Sequence, residues 1–165
     1  MSIKSKLARF EKKALIEIIS DLYKKNKSVQ EYLDFYINPD EGGLLEKYRV
    51  KVYEAFYPKR GFDYSLSKGK QSISDFKKLD PSTELLIDLM LFYVETGIKF
   101  TNEFGDMNET FYNSIESTFA KALKITYDEG LPGLFEQRCL QILEDTQHIG
   151  WGLNDGLSEI FYKFY

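Results

Sequence analysis

The chain has 165 residues, 43% of them apolar and 29% charged; this is enough to bury a core without disulfides or metals, so a single domain over 1–165 is expected and disorder is not. One cysteine, Cys139, and one histidine, His148, exclude an intrachain disulfide and every metal motif that needs two histidines or several thiolates. Net charge is −4, which argues against general nucleic-acid affinity, yet residues 1–79 carry 17 basic and 11 acidic side chains and residues 80–165 carry 5 and 15. Such an uneven chain has a basic and an acidic region, which either steer partners of opposite sign or neutralise each other.

The N-terminal residues Met1 to Phe10 contain no apolar core before charges recur, so they do not read as a secretory signal. The longest apolar run, Leu85 to Val94, is broken by Asp88 and falls short of the ~20 residues that span a bilayer. No membrane association and a cytoplasmic location are the expectation. Thirteen Phe, twelve Tyr and one Trp suit a core built from large rings on many short helices. The alternative use is a groove lined by Tyr, whose ring is apolar and whose tip is polar.

Nearly every segment carries a helical period and none alternates like a strand. In chain order, a first helix is expected over about 5–25, interrupted near Phe10, with Leu15, Ile18, Ile19 and Leu22 on one face. Ser28 and Glu31 have capping-box spacing for a short helix through Tyr36. Asn38-Pro39 starts another, which reaches Tyr57 despite the Gly42-Gly43 pair. Pro58 to Leu66 reads as a loop, followed by a helix over about 67–79. Asp80-Pro81 opens the most apolar helix, about 82–104, whose Leu85–Val94 stretch is hydrophobic nearly all round and so should be enclosed. Gly105 ends it, Asn108 caps the next to about Glu129, and Gly130 then Pro132 lead into a helix to about Gln147. Gly150, Trp151 and Gly152 form a turn before a last helix to about Phe164. Short connections make antiparallel hairpins. The fold expected is all-α, seven to nine helices in a compact bundle or a short helical-repeat-like superhelix. Asp40 to Glu46 is also echoed by Asp128 to Glu136, and each is followed by a Gly-aromatic turn, Gly61-Phe62 and Gly150-Trp151. This suits either a duplicated unit or a coincidence between two amphipathic helices.

Motifs for chemistry are largely absent. No P-loop or dinucleotide fingerprint occurs, and Ser67 to Ser72 lacks the first glycine of the former. Cys139 shares a helix face with Phe135, Ile142 and Leu143 and reads as a small core residue. Glu144 lies four residues before His148, a spacing for a local hydrogen bond rather than a ligand set. Asp88, in the most apolar stretch, and Glu95, seven residues on, must find partners or shift their pKa upward, as a general acid would. The plain account is an interhelical bond from Asp88 to a Tyr or backbone group, with Glu95 pairing to Lys99. Lys59, Arg60 and Tyr64 interleave charge and ring, and Lys68 and Lys70 follow near a helix start, so 59–78 is the best anion-attracting stretch.

Lys59-Arg60-Gly61, Ile73-Ser74-Asp75-Phe76-Lys77-Lys78-Leu79, Asp88 through Gly97, Phe111-Tyr112-Asn113-Ser114 and Ile149-Gly150-Trp151-Gly152 together resemble a family of small helical bacterial proteins catalogued only as a domain of unknown function. The resemblance covers nearly the whole chain and implies a self-contained domain, with no activity, cofactor or metal to carry over. The leading functional expectation is a non-enzymatic helical interaction module with a protein partner. The alternatives are a small-molecule-binding protein or enzyme with a pocket near Asp88, Glu95 and Trp151, and an anion or nucleic-acid binder through Lys59–Lys78.

Overall fold

The computed structural model describes residues 2–61 and 63–165. Phe62, half of one Gly-aromatic turn in the internal echo, lies outside the described residues. Nine α-helices and no strand occur among the described residues. The chain divides into two compact units, 1–40 and 41–165.

The first unit holds α1 (Ile3–Leu7), α2 (Lys12–Lys25) and α3 (Lys27–Ile37). The first expected helix is thus two, separated at residues 8–11, where Arg9 and Phe10 amides make short-range turn bonds to Lys6 and Leu7 carbonyls. The expected capping box is also corrected. Asn26, not Ser28, caps α3: its side-chain oxygen accepts from the Ser28 and Val29 amides at 3.0 and 3.3 Å. Asn26 can do this because its backbone is extended while α2 ends on it. α2 and α3 form a hairpin joined by the Tyr23 hydroxyl, which donates to Asp34 Oδ1 at 2.9 Å.

The second unit comprises α4 (Glu41–Phe56), α5 (Leu66–Lys77), α6 (Thr83–Phe104), α7 (Glu109–Asp128), α8 (Pro132–Asp145) and α9 (Leu153–Phe164). As its sequence requires, α6 is enclosed: α4, α5, α7 and α8 all pack on it. Ile87, Leu89, Leu91, Tyr93 and Val94 are fully buried. Gly97 lets α7 approach closely, since a Cβ there would lie 2.2 Å from Ile115 Cδ1. Around Phe56 the core is made of rings, with Tyr93, Phe100 and Phe111 centred 5.0–6.2 Å away. Their tilted and edge-on geometries suit the ring quadrupole. Buried hydroxyls are satisfied, as they must be in a low-dielectric core. Tyr93 shares a 2.7 Å bond with Ser114, and Tyr112 links Thr101 (2.9 Å) to the Met107 amide (3.0 Å). Among the described residues no helix is long and apolar enough to cross a membrane.

Candidate functional site

Asp88 and Glu95 sit on one face of α6, and the helices on either side each send an arginine to it. Arg138 of α8 donates from Nε to Glu95 Oε1 at 2.5 Å and from Nη2 to Glu95 Oε2 at 2.8 Å, a two-pronged fork. Its Nη1 reaches Asp88 Oδ2 at 2.8 Å, and Nη2 also donates to the Asp88 carbonyl at 3.3 Å. From α4, Arg49 donates to Asp88 Oδ1 through Nη2 at 2.6 Å and Nε at 3.2 Å. The four side chains are a quarter to a third exposed. Burial alone would lower the Arg138 pKa, but the hydrogen bonds and charge of Glu95, then those of Asp88, raise it.

The plain account of Asp88 and Glu95 as structural acids therefore gains its partners, and they differ from those expected. Asp88 meets arginines rather than a Tyr hydroxyl or a backbone group. Glu95 pairs with Arg138, while Lys99 turns four residues onward to Glu103 at 3.8 Å. Guanidinium donors reach both oxygens of each carboxylate. Trp151 does not join them. It lies in the turn before α9, and a Cβ on neighbouring Gly150 would meet Asp106, just past the far end of α6. Glu95 is nine residues before Phe104, the last of α6, about 14 Å along the helix axis. The Trp151 ring is 65% exposed, 6.4 Å from that of Tyr112, on a left-handed backbone with φ 62°.

The other predicted residues separate. His148 is exposed in the turn after α8, and no bond to Glu144 forms among the described residues. Lys59 pairs with Glu54 at 2.5 Å. The Tyr64 ring tucks beneath its loop, 5.3 Å from both Phe100 and Phe111, so it offers no stacking platform. Arg60 and Lys68 are exposed. The Lys68 amide serves the α5 cap, donating to Ser65 Oγ. Lys70 reaches across to α7, donating to Ser117 Oγ at 3.2 Å. Cys139 is fully buried, as its helix face required. No group of three metal-ligating side chains occurs among the described residues.

Beside the arginine brace runs a groove of about 360 Å³ between α4 and α6. Its wall carries Tyr53 and Tyr57, whose rings stack at 4.7 Å, with Lys99 Nζ 5.9 and 5.7 Å from their centres. Arg49 covers the Phe92 ring at 5.4 Å, and Val50 is 46% exposed. Tyr57 donates to Glu103 Oε2 at 2.7 Å; burial, then that bond and charge, push its phenol well above its ordinary range. The sequence reading missed this face, because its parts are ordinary amphipathic positions on two helices some 40 residues apart. A family model described as a family of unknown function, DUF6155, matches residues 1–165. No curated protein and no solved structure matches the chain.

Proposed function

The chain belongs to the DUF6155 family of unknown function, and we propose that it is a non-enzymatic helical interaction module that docks a partner protein on the α4–α6 groove. The observation that carries this reading is the pairing of two features on one face. Asp88 and Glu95, the two acids of the most apolar stretch, are held by Arg49 and Arg138. Next to them, Val50, Tyr53, Tyr57 and Phe92 present ring and aliphatic surface with an arginine among them. Tyr and Arg are the residue types enriched where protein interfaces concentrate their energy. The groove's rim carries both signs, Glu46 and Glu54 against Lys59, so the partner segment we expect is apolar and aromatic at its centre with mixed charge at its edges.

The same reading takes the chain as a cytoplasmic, bacterial-type protein. Its only cysteine is a buried thiol, which suits a reducing compartment, and the family strings quoted above supply the bacterial part. The test is a pair of affinity captures from native lysate, with the wild type and with Tyr53→Ala. A stoichiometric partner held by the wild type and weakened about tenfold or more by Tyr53→Ala, at unchanged circular dichroism, supports the module. A partner held equally by both moves the interface elsewhere. A photo-crosslinker at position 53 that captures no protein counts against the reading altogether.

A further inference from the structure

A second groove, between α5 and α7 with α6 as its floor, encloses about 400 Å³, a size typical of small-ligand sites. Four lysines rim it. Lys70 and Lys77 lie seven residues apart on α5, and Lys121 and Lys124 lie three apart on α7, so each pair shares a helix face. Asp128 is the one carboxylate among the described lining residues, and Lys124 holds it at 2.7 Å. Lys70, Lys77 and Lys121 have no ion pair among the described residues. Composition does not explain this, because residues 80–165 carry three times as many acids as bases and yet supply two of the lysines. Burial, then the charge of Lys121, lowers the Lys70 pKa, as follows when ammonium groups face one another without a counter-charge.

The floor has the opposite character. Leu86 and Met90 lie one turn apart on α6, and Ile73 and Ile125 flank them. Met is the side chain best able to reshape itself around an apolar guest. None of the described lining residues is aromatic, which removes the stacking that single-stranded nucleic acid relies on. Lysines act as compact point charges toward phosphate, whereas a planar carboxylate is better matched by arginine forks.

We propose that this groove binds a free amphiphile, a phosphate monoester bearing an unbranched apolar tail. Its head lies among Lys70, Lys121 and the Ser74 hydroxyl, and its tail lies over Met90 and Leu86. The seven-residue span from Lys70 to Lys77 is about 10 Å of helix, so a short to medium tail is expected. This site is independent of the α4–α6 docking face.

The test is isothermal titration of the full chain with decyl phosphate below its micelle concentration. Expected is saturable one-to-one binding, about tenfold or more tighter than inorganic phosphate or decyl maltoside, because head and tail both contribute. The K70Q/K121Q double variant should weaken it about tenfold or more, while K163Q leaves it unchanged. Removing two facing ammonium groups relieves repulsion and offsets the lost Lys70–Ser117 bond, so the double variant should melt within about 5 °C of the wild type. Equal binding of decyl maltoside overturns the charge assignment, and equal binding of inorganic phosphate overturns the tail. Decanoate binding as tightly as decyl phosphate overturns the phosphate head. An acidic helical peptide that binds more tightly and is lost in K70Q/K121Q would make the groove a protein site instead. Binding to phosphatidylcholine–phosphatidate vesicles without binding to decyl phosphate would make it a membrane site.

Discussion

At Arg138 a single guanidinium donates to both Glu95 oxygens, to Asp88 Oδ2 and to the Asp88 carbonyl. Half-buried pairs of this kind add little over a hydrophobic replacement of the whole set, but removing one partner strands the other. Arg138→Met should therefore leave Glu95 without its fork and Asp88 with Arg49 alone. The expected loss is about 2 kcal/mol, below the cost in a fully dry site because these groups stay a quarter to a third exposed. Urea denaturation checks it, and a loss under about 0.5 kcal/mol would mean that the brace contributes nothing to stability. That Asp88 and Glu95 need partners was legible in the apolar run around them. The partners' identity was not, because Arg49 and Arg138 lie 39 and 50 residues from Asp88. Local spacing suggested Lys99 for Glu95, but Lys99 has an equally spaced carboxylate in Glu103, and nothing local decides between them.

Helix existence was legible in the sequence wherever an apolar stripe ran three turns or more, and two of the punctuation residues behaved as their chemistry demands. Asn108 caps α7, accepting from the Phe111 amide at 3.0 Å, and Gly105 closes α6 at φ 89°. Asn26 was missed because it both ends α2 and starts α3, and no spacing rule foresees a residue with both duties. The internal echo gains one structural counterpart. Its two helices, α4 and α8, both pack on α6 and both send an arginine to Asp88, yet the arginines are not at equivalent positions of the matched strings. Close approach of elements is invisible in periodicity, and Gly97 is the case in point. Any Cβ there meets Ile115 at 2.2 Å and comes to 3.3 Å from Phe56. Gly97→Val must push α7 away or force both side chains off their rotamers. The expected cost is about 2 kcal/mol, the usual scale for overfilling a packed core. A variant whose urea midpoint matches wild type would show that α6 and α7 do not meet there as described.

At the scale of the whole molecule, the charge asymmetry between halves proved a poor guide to surface, since the lysine groove draws equally on both. The buried titratable groups are a better guide to how stability should respond to solution conditions. Burial pushes the Cys139 thiol from its ordinary 9.0 up to about 12, outweighing a hydrogen bond with Tyr165 and the charge of Arg138. Burial likewise pushes the Tyr93 phenol from 10.0 up to about 12, against the opposing bond to Ser114. Each group holds its proton longer folded than unfolded, so its contribution is fully present below the unfolded value and is lost as pH rises through the folded one. Unfolding free energy should be level with respect to the thiol up to about pH 9 and then decline toward pH 12, with Tyr93 joining about one unit later. The slope per group approaches about 1.4 kcal/mol per pH unit, because only the unfolded chain releases the proton in that window. Cys139→Ala separates the two. Below about pH 9 it lowers stability by emptying core volume, but its curve should stay level about one pH unit further than the wild type's, so the gap narrows as pH rises. Urea midpoints measured from pH 8 to 11 give both curves. Were the wild type to stay level as far as the variant, both beginning to fall together near pH 10, the thiol would be ionising as readily folded as unfolded, and the core around Cys139 would have to admit water.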